Sequence, residues 1–277
     1  MNILILNRAS LQRMRYQDWI APEHKIVVLS TADIAQDDCH ILAELAVEVE
    51  YFDNYIGNGN VERRALELNQ TYQFERIIAV NEFDLMRAAK LREILGLPGQ
   101  NVASAHAFRD KILMKDYAKA VDVVTPTFAR VSDPLDVMAF VKANGLPVVI
   151  KPISGGGSVD TNIIHHQQDL NQFLTAGFGK YIDHSPDYLI ESFVDGLMYH
   201  VDGFVANGEV ILCWPSRYAT TCHALKNGDF FASYMLDGAA ELTQRLRQQT
   251  TKLLNAFPLP EFCTFHVEFF HTQSDQL

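Results

Sequence analysis

A single lysine, Lys151, ends an apolar run and is followed at once by a glycine-rich segment. The run, residues 146–150, has the length of a buried strand, and a lone cation at its end is costly to bury unless an anion meets it. Glycines leave backbone N–H groups able to close over phosphate oxygens. The segment comprises Ser154, Gly155, Gly156, Gly157 and Ser158. This pattern predicts phosphate binding and makes nucleotide chemistry the leading hypothesis.

A second lysine, Lys111, lies 40 residues earlier, in the first turn of a helix predicted over residues 108–120. If both lysines point into one cleft, they can neutralise the α- and β-phosphates of a nucleotide. Taken alone, Lys111 is more simply a solvated helix residue, so its assignment depends on Lys151. The glycine segment is not a Walker loop, because no Gly-Lys-Ser/Thr follows it.

A third element is the apolar strand predicted over residues 188–194, which runs into a short connection at Asp195 and Gly196. Such a connection can offer backbone C=O and N–H groups to the edge of an adenine. By itself, the segment is more simply an ordinary strand with an exposed acid, Glu191. Only its place after the Lys151 segment favours a binding role.

The fourth element is an alternating strand over residues 265–269, which places His266 and Glu268 on one face. A carboxylate there could hold Mg²⁺, which prefers oxygen ligands and substrate phosphates. A strand with one solvated face explains the segment equally well. A zinc deaminase is excluded, because the Pro-Cys-x-x-Cys that must follow His-x-Glu is absent.

The composition excludes several classes of function. Apolar residues make up 48% of the 277 residues and charged residues 21%, which is typical of folded domains. The net charge of −11 disfavours a nucleic-acid-binding surface, so small molecules or proteins are the expected partners. No apolar stretch is long enough to cross a membrane. The oligomeric state cannot be predicted.

The cysteines predict a reduced, cytoplasmic protein. The chain has four, Cys39, Cys213, Cys222 and Cys263, with no C-x-x-C pairing and too few for a disulfide scaffold. The N-terminal apolar run is too short for a signal peptide.

The order of predicted elements defines the fold class, α/β. Over the first hundred residues, four short β-rich segments alternate with helical segments, which predicts a parallel sheet covered by helices. The first strand lacks G-x-G-x-x-G, so a dinucleotide site there is not expected. From residue 103 the pattern changes to α+β, with Asn207-Gly208 as a strong hairpin signal.

Taken in order, these elements resemble the ATP-grasp superfamily, specifically its carboxylate–amine ligase-like members. The resemblance covers residues 103–277, and the alternating region before it resembles the α/β domain that precedes an ATP-grasp fold. It implies three divisions: a pre-ATP-grasp domain over residues 1–102, a small lobe over 103–187 and an incomplete large lobe over 188–277. The matching motifs are Arg109-Asp110-Lys111, the Lys151 strand with its glycines, Leu189 to Phe193, Tyr199 to Gly203, and His266-Val267-Glu268.

The resemblance also implies a role for each candidate residue. ATP would lie between the two lobes, and the reaction would phosphorylate a small-molecule carboxylate for attack by an amine or similar nucleophile. Glu268 would be one of two acidic Mg²⁺ ligands, and Arg217 is a candidate catalytic contact to the γ-phosphate or substrate, although a surface arginine is an equally good interpretation. The residues expected to bind ATP are Lys111, Lys151, Gly155, Gly156, Gly157, Ser158, Glu191, Ser192, Phe193 and Val194.

Two positions depart from the family pattern. Leu197-Met198 stand where many relatives carry an acid for the ribose, and the chain ends nine residues after Glu268. The second metal ligand of the family, usually a Glu with a nearby Asn, would lie on a later strand. The expectation is a truncated chain with impaired catalysis.

Three functions remain open from the sequence. The first is an ATP-dependent ligase. The second is a nucleotide-binding protein without catalysis, and the third is an ATP-dependent kinase on the same fold. The identity of the substrate is not encoded in any motif of this chain.

Overall fold

The computed structural model describes residues 1–157, 159–176, 187–220 and 232–277. These residues form two compact units, Met1–His106 and Ala107–Leu277. In these ranges no helix is both long and apolar enough to pass through a lipid bilayer. The predicted division into residues 1–102, 103–187 and 188–277 stays a prediction.

Strands and helices alternate in the first unit and are more mixed in the second. The strands are β1 (Asn2–Asn7), β2 (Lys25–Thr31), β3 (Glu48–Phe52), β4 (Arg76–Ala79), β5 (Phe128–Val131), β6 (Val148–Pro152), β7 (Asn162–Ile164), β8 (Tyr188–Ser192), β9 (Gly196–Ala206), β10 (Glu209–Tyr218), β11 (Ser233–Met235) and β12 (Phe262–Thr272). The helices are α1 (Tyr16–Trp19), α2 (Gln36–Leu45), α3 (Asn60–Tyr72), α4 (Leu85–Leu95), α5 (Val102–Arg109), α6 (Lys111–Ala120), α7 (Pro134–Asn144), α8 (Gln167–Ala176) and α9 (Glu241–Leu254).

The first unit contains a parallel four-stranded sheet in the order β3-β2-β1-β4. Both faces of the sheet are covered: Leu4 and Leu6 belong to one buried cluster, whereas Ile3 and Ile5 belong to another. A strand buried on both faces reads as a continuous apolar run, which is why the sequence predicts this sheet well. The predicted parallel α/β arrangement is confirmed.

The second unit contains two antiparallel four-stranded sheets. We call the sheet with the order β5-β8-β6-β7 the lysine sheet, because Lys151 lies on β6, and the sheet with the order β11-β10-β9-β12 the carboxylate sheet, because Glu268 lies on β12. The two sheets with their helices are the α+β arrangement that the sequence predicted.

Each of these sheets has one apolar face that leaves the other face for polar side chains. In the lysine sheet, Val148 and Ile150 lie in the core, so alternation places Lys151 on the opposite face. In the carboxylate sheet, Tyr199 and Val201 pack with Leu246 of α9. The predicted hairpin joins β9 to β10, and Asn207 and Gly208 both have positive φ, 53° and 76°, as a type I′ turn requires.

The helix predicted over residues 108–120 is divided in the structure. α5 ends at Arg109 and α6 begins at Lys111, with Asp110 between them in an extended conformation. The Asp110 carboxylate accepts hydrogen bonds from the backbone N–H groups of Ile112 and Leu113, at 2.8 and 3.0 Å. Asp110 is therefore the N-cap of α6 and fixes Lys111 as the first residue of that helix.

Candidate functional site

Lys151 lies where the sequence placed it, at the end of an apolar strand and before the glycine segment. Its Nζ atom is 2.6 Å from Oε1 of Glu191, on the neighbouring strand β8. The Glu191 side chain is only 9% exposed, whereas that of Lys151 is 25% exposed. The buried cation therefore meets an anion within the protein, as its burial requires.

The structure adds a residue that the sequence analysis missed, Lys115. Its Nζ atom lies 2.7 Å from Oε2 of Glu191, so the carboxylate is placed between two ammonium groups. Lys115 is one helical turn after Lys111 on α6, a spacing that puts both lysines on the same face. The four-residue spacing of Lys111 and Lys115 was visible in the sequence. The partner of Lys115, Glu191, lies 76 residues later on another strand, and no local pattern indicates that contact.

Burial and charge act in opposite directions on this cluster. Burial alone would raise the pKa of Glu191, but the charges of Lys151 and Lys115 outweigh it, and the pKa of Glu191 is lowered. The pKa of Lys115 is lowered chiefly by its burial, although the charge of Glu191 partly offsets that effect. The carboxylate is held in its charged form because two cations accompany it.

The glycine segment begins in a turn held by Lys111 and Arg109. The Lys111 ammonium donates hydrogen bonds to the carbonyl groups of Pro152, Ile153 and Gly155, at 3.2, 3.2 and 2.7 Å. Arg109 donates to the carbonyl of Ser154. Lys111 and Lys151 therefore both lie beside this turn, and their contacts with the phosphates of a nucleotide stay a prediction.

The glycines themselves meet local conformational demands. Gly157 has a φ of 62°, a left-handed conformation that favours glycine, and Gly155 and Gly156 come directly before it. Ser158, predicted to contact phosphate, lies outside the described residues.

The predicted adenine-reading segment follows β8. The N–H group of Ser192 donates to the carbonyl of Thr127, and that of Phe193 donates to the carbonyl of Pro147, at 2.9 and 3.1 Å. The Phe193 ring lies 5.7 Å from that of His165. Val194 follows directly. The segment is anchored at the end of the lysine sheet that carries Glu191, and its adenine contacts stay a prediction.

Glu268 lies on the polar face of the carboxylate sheet, within a hydrogen-bonded group. The Tyr218 hydroxyl donates to Oε1 of Glu268 at 3.1 Å, and Nε2 of His266 is 3.6 Å from the same oxygen. Burial would raise the pKa of Glu268, but His266, Tyr218 and Lys151 lower it. The charge of Lys151 therefore acts on Glu268, which links the two sheets electrostatically.

The histidine of this group is also held from its other side. The Nδ1 atoms of His266 and His200 lie 2.7 Å from the two carboxylate oxygens of Asp202, one on each. The nearby Glu268 carboxylate raises the pKa of His266 to about 9, with burial acting against it and Asp202 acting with it. The strand pairing of β9 with β12 brings Asp202 and His266 together.

Among the described residues, one group of three side chains and one carboxylate are candidates to hold a cation. His200, Asp202 and His266 form a three-donor group, but Mg²⁺ prefers oxygen, and the observed 2.7 Å separations are hydrogen bonds. Glu268 offers a carboxylate that is 45% exposed. One carboxylate together with phosphate oxygens is a common Mg²⁺ arrangement, so Glu268 fits the predicted role.

Arg217 is placed apart from the other predicted residues. The register of β10 pairs it with Tyr199, whose side chain is buried on the α9 face of the carboxylate sheet. Directly opposite residues in an antiparallel pair share a face, so Arg217 leaves the strand on the α9 face. Tyr218, its neighbour, is the residue that reaches Glu268. The predicted catalytic role of Arg217 stays a prediction.

Comparisons with known proteins show which proteins this chain is similar to. No family model matches the chain. It is 25% identical over 216 residues to an L-arginine-specific L-amino acid ligase of Bacillus subtilis, covering 76% of this chain and 51% of that protein. An L-amino acid ligase from Bacillus licheniformis has a similar structure, with a TM-score of 0.74, 14% identity, and coverage of 99% of this chain and 64% of that one. N5-carboxyaminoimidazole synthetase from Staphylococcus aureus, complexed with ADP, gives a TM-score of 0.74 and 17% identity over 99% and 68% of the two chains.

In sequence and in fold, the chain is similar to ligases of the ATP-grasp superfamily. Its resemblance to the carboxylate–amine ligases of that superfamily is confirmed by the sequence similarity and by the solved structures. The chain spans about half the length of the Bacillus subtilis ligase.

Proposed function

We propose that the protein is an ATP-dependent ligase that joins a small carboxylate to an amine through an acyl phosphate. One observation carries the proposal: Lys151 ends its strand beside a turn that Lys111 holds, and its ammonium lies 2.6 Å from the buried carboxylate of Glu191. A site that transfers a phosphoryl group must bind phosphate and neutralise developing charge at the same place.

The residues then divide by what each would contact. Lys111, Lys151 and the glycine turn, with Ser158, would bind the phosphates. The backbone of Ser192 to Val194 would read adenine, with Glu191 beside it. Glu268 would hold Mg²⁺, which when bound would neutralise part of the charge on the phosphate oxygens.

The proposed reaction has two steps. A carboxylate oxygen of the first substrate attacks the γ-phosphorus of ATP, the bond to the β-phosphate oxygen breaks, and ADP leaves. The amine nitrogen of the second substrate then attacks the acyl carbon, the carbon–oxygen bond to phosphate breaks, and the amine loses a proton. The site's contribution is to position the reactants and to neutralise charge, because phosphoryl transfer requires little covalent chemistry from the protein.

Amino acids are the substrates that we propose. The names of the two Bacillus relatives give them L-amino acids as substrates, and an amino acid supplies both a carboxylate and an amine. The similarity is too low to transfer the arginine preference of the Bacillus subtilis ligase.

The test measures ADP release with pools of L-amino acids, with and without hydroxylamine. A ligase releases ADP only with an amino acid present, and hydroxylamine traps its acyl phosphate as a hydroxamate. Lys151→Met should abolish both signals, whereas Lys142→Met, at an exposed position of α7, should not. A stable phosphorylated product would instead show a kinase, and ATP binding without ADP release would show a non-catalytic protein.

A further inference from the structure

Glu191 is a buried carboxylate in the candidate nucleotide site, and its negative charge needs a cation beside it. Its backbone is fixed in the lysine sheet, because its neighbours in register are Phe128 on β5 and Val149 on β6. Its carboxylate is 9% exposed and contacts Lys115 and Lys151 through separate oxygens. The carboxylate can neither reach solvent nor stay charged at low cost without a cation beside it.

The two lysines that accompany Glu191 differ in their freedom. Lys151 is 25% exposed and lies beside the glycine turn, so its ammonium can turn toward a phosphate. Lys115 is 16% exposed and its ammonium lies 5.5 Å from the centre of the Phe128 ring. A bound phosphate would therefore take Lys151 from Glu191, and Lys115 is the cation that stays.

We propose that Lys115 is a positioning residue of the nucleotide site, which keeps Glu191 paired so that Lys151 can leave it for phosphate. This inference rests on the proposed function, since it assumes that ATP is the ligand of Lys151. Lys115 acts through Glu191 and need not touch the nucleotide. Without Lys115, Glu191 competes with phosphate for Lys151, and ATP binding weakens.

The directions of the pKa shifts agree with these separate roles of Lys115 and Lys151. The pKa of Glu191 is lowered despite burial because of both lysines together. Lys151 also lowers the pKa of Lys115 by repulsion, as two cations sharing one carboxylate must. Moving Lys151 toward a phosphate would relieve that repulsion and leave a matched Lys115–Glu191 pair.

The test is a charge-rescue experiment, with the dissociation constant for ATP measured by isothermal titration calorimetry in the absence of Mg²⁺. Lys115→Met should raise the dissociation constant about tenfold or more. Glu191→Gln removes the competing charge, so adding Lys115→Met to Glu191→Gln should change affinity by less than about threefold. Lys119→Met is the matched control, since Lys119 lies one turn along α6 and its ammonium sits 3.9 Å from the centre of the Phe128 ring.

The outcomes separate this inference from the proposed function. If Lys115→Met weakens binding equally with and without Glu191→Gln, Lys115 contacts the nucleotide itself and the inference is overturned. An unchanged affinity in Lys115→Met also overturns it, while the proposed function stands. Should Lys115→Met fail to fold, a loss of affinity in the double variant relative to Glu191→Gln still overturns the inference, because neither of these two variants leaves an uncompensated carboxylate. If the unaltered protein does not bind ATP, both ideas fail.

Discussion

Each unit of this protein buries a cation against carboxylates, but the two arrangements leave the cation different freedom. In the first unit, the Arg87 side chain is 8% exposed, and its guanidinium bonds Glu62, Asp84 and the carbonyl groups of Tyr55 and Ile56 at 2.8 to 3.2 Å. In the second unit, the Lys151 ammonium bonds Glu191, and that carboxylate has a second cation in Lys115.

The contrast gives a criterion for separating a cation with a structural role from one that is free to bind a ligand. Arginine is a rigid fork, and four hydrogen bonds hold the Arg87 guanidinium here, so moving it would break several bonds at once. Lysine is a compact charge on a flexible stem, and Glu191 keeps a partner when Lys151 leaves. The partner carboxylates respond in opposite directions: burial raises the pKa of Asp84 to about 6, whereas the two lysines lower the pKa of Glu191.

The largest expected effect is on stability, from Arg87→Met. The substitution leaves Asp84 buried without its cation and strands two backbone carbonyls, which should lower the free energy of unfolding by about 3–5 kcal/mol. Urea denaturation measures the change. Arg63→Met, at an exposed pair with Glu67, is the control and should stay within about 0.5 kcal/mol. Equal losses in the two variants would show that Arg87 has no special structural role.

The next effect is on ligand-induced stability, from Lys151→Met. ATP at about 100 times its dissociation constant should stabilise the unaltered protein by about 2.7 kcal/mol, and that gain should vanish in the variant. Without ATP, the variant should lose less stability than Arg87→Met, because Lys115 still accompanies Glu191. A thermal-unfolding series in ATP checks both statements. If Lys151→Met lost as much stability without ATP as Arg87→Met does, Lys151 would have the same structural role as Arg87, and the distinction between the two cations would be wrong.

The third effect is a pH dependence that belongs to the first unit. Asp84 has a pKa raised from 3.8 to about 6 by burial, with Arg87 acting against the shift. The folded state therefore holds its proton more tightly, so this contribution is full below pH 3.8 and is lost as pH rises through 6. Acidification from pH 7 to 5 should show a gain of up to about 2 kcal/mol relative to Asp84→Asn. Parallel pH profiles of the two proteins would contradict the shift.

How far the sequence predicted these arrangements depends on the distance between the residues. The parallel sheet and the Lys151 strand were predicted because continuous apolar runs and glycines are local signals. The start of α6 was also written locally, since Asp110 is a favoured N-cap, but the interpretation as one helix overlooked it. Lys115 was missed because its partner lies on a distant strand.

Strand register is the second reason for incomplete prediction. The pairing of β9 with β12 brings together Asp202 and His266, which are 64 residues apart. The sequence showed His266 and Glu268 on one face, but not which side chains of β9 would face them. Likewise, the placement of Arg217 opposite Tyr199 depends on a register shift between Val210 and Leu212. An extra residue in one strand moves every later side chain of that strand to the opposite face of the sheet. No local sequence pattern predicted this register shift.

The last and smallest expected effect is a pH dependence of stability in the second unit, which arises from His266. The pKa of His266 is raised from 6.5 to about 9 by Glu268, against burial and together with Asp202. This contribution is full below pH 6.5 and is lost as pH rises through 9, a window above that of Asp84. Because the side chain is 48% exposed, solvent screening should limit the loss to about 1 kcal/mol.

The measurement is the free energy of unfolding between pH 6 and 9.5 in EDTA, for the unaltered protein and for His266→Asn. The same exchange at the exposed His166 supplies the reference profile. If only His266→Asn flattens the curve, the charge of His266 stabilises the carboxylate sheet in the absence of metal. If all three profiles run in parallel, Glu268 and Asp202 do not hold the imidazolium, and the hydrogen-bonded group around Glu268 is not a charged one. Because the pKa of Asp84 is about 6, this carboxylate is largely ionised above pH 7, so the part of each profile between pH 7 and 9.5 cannot arise from it.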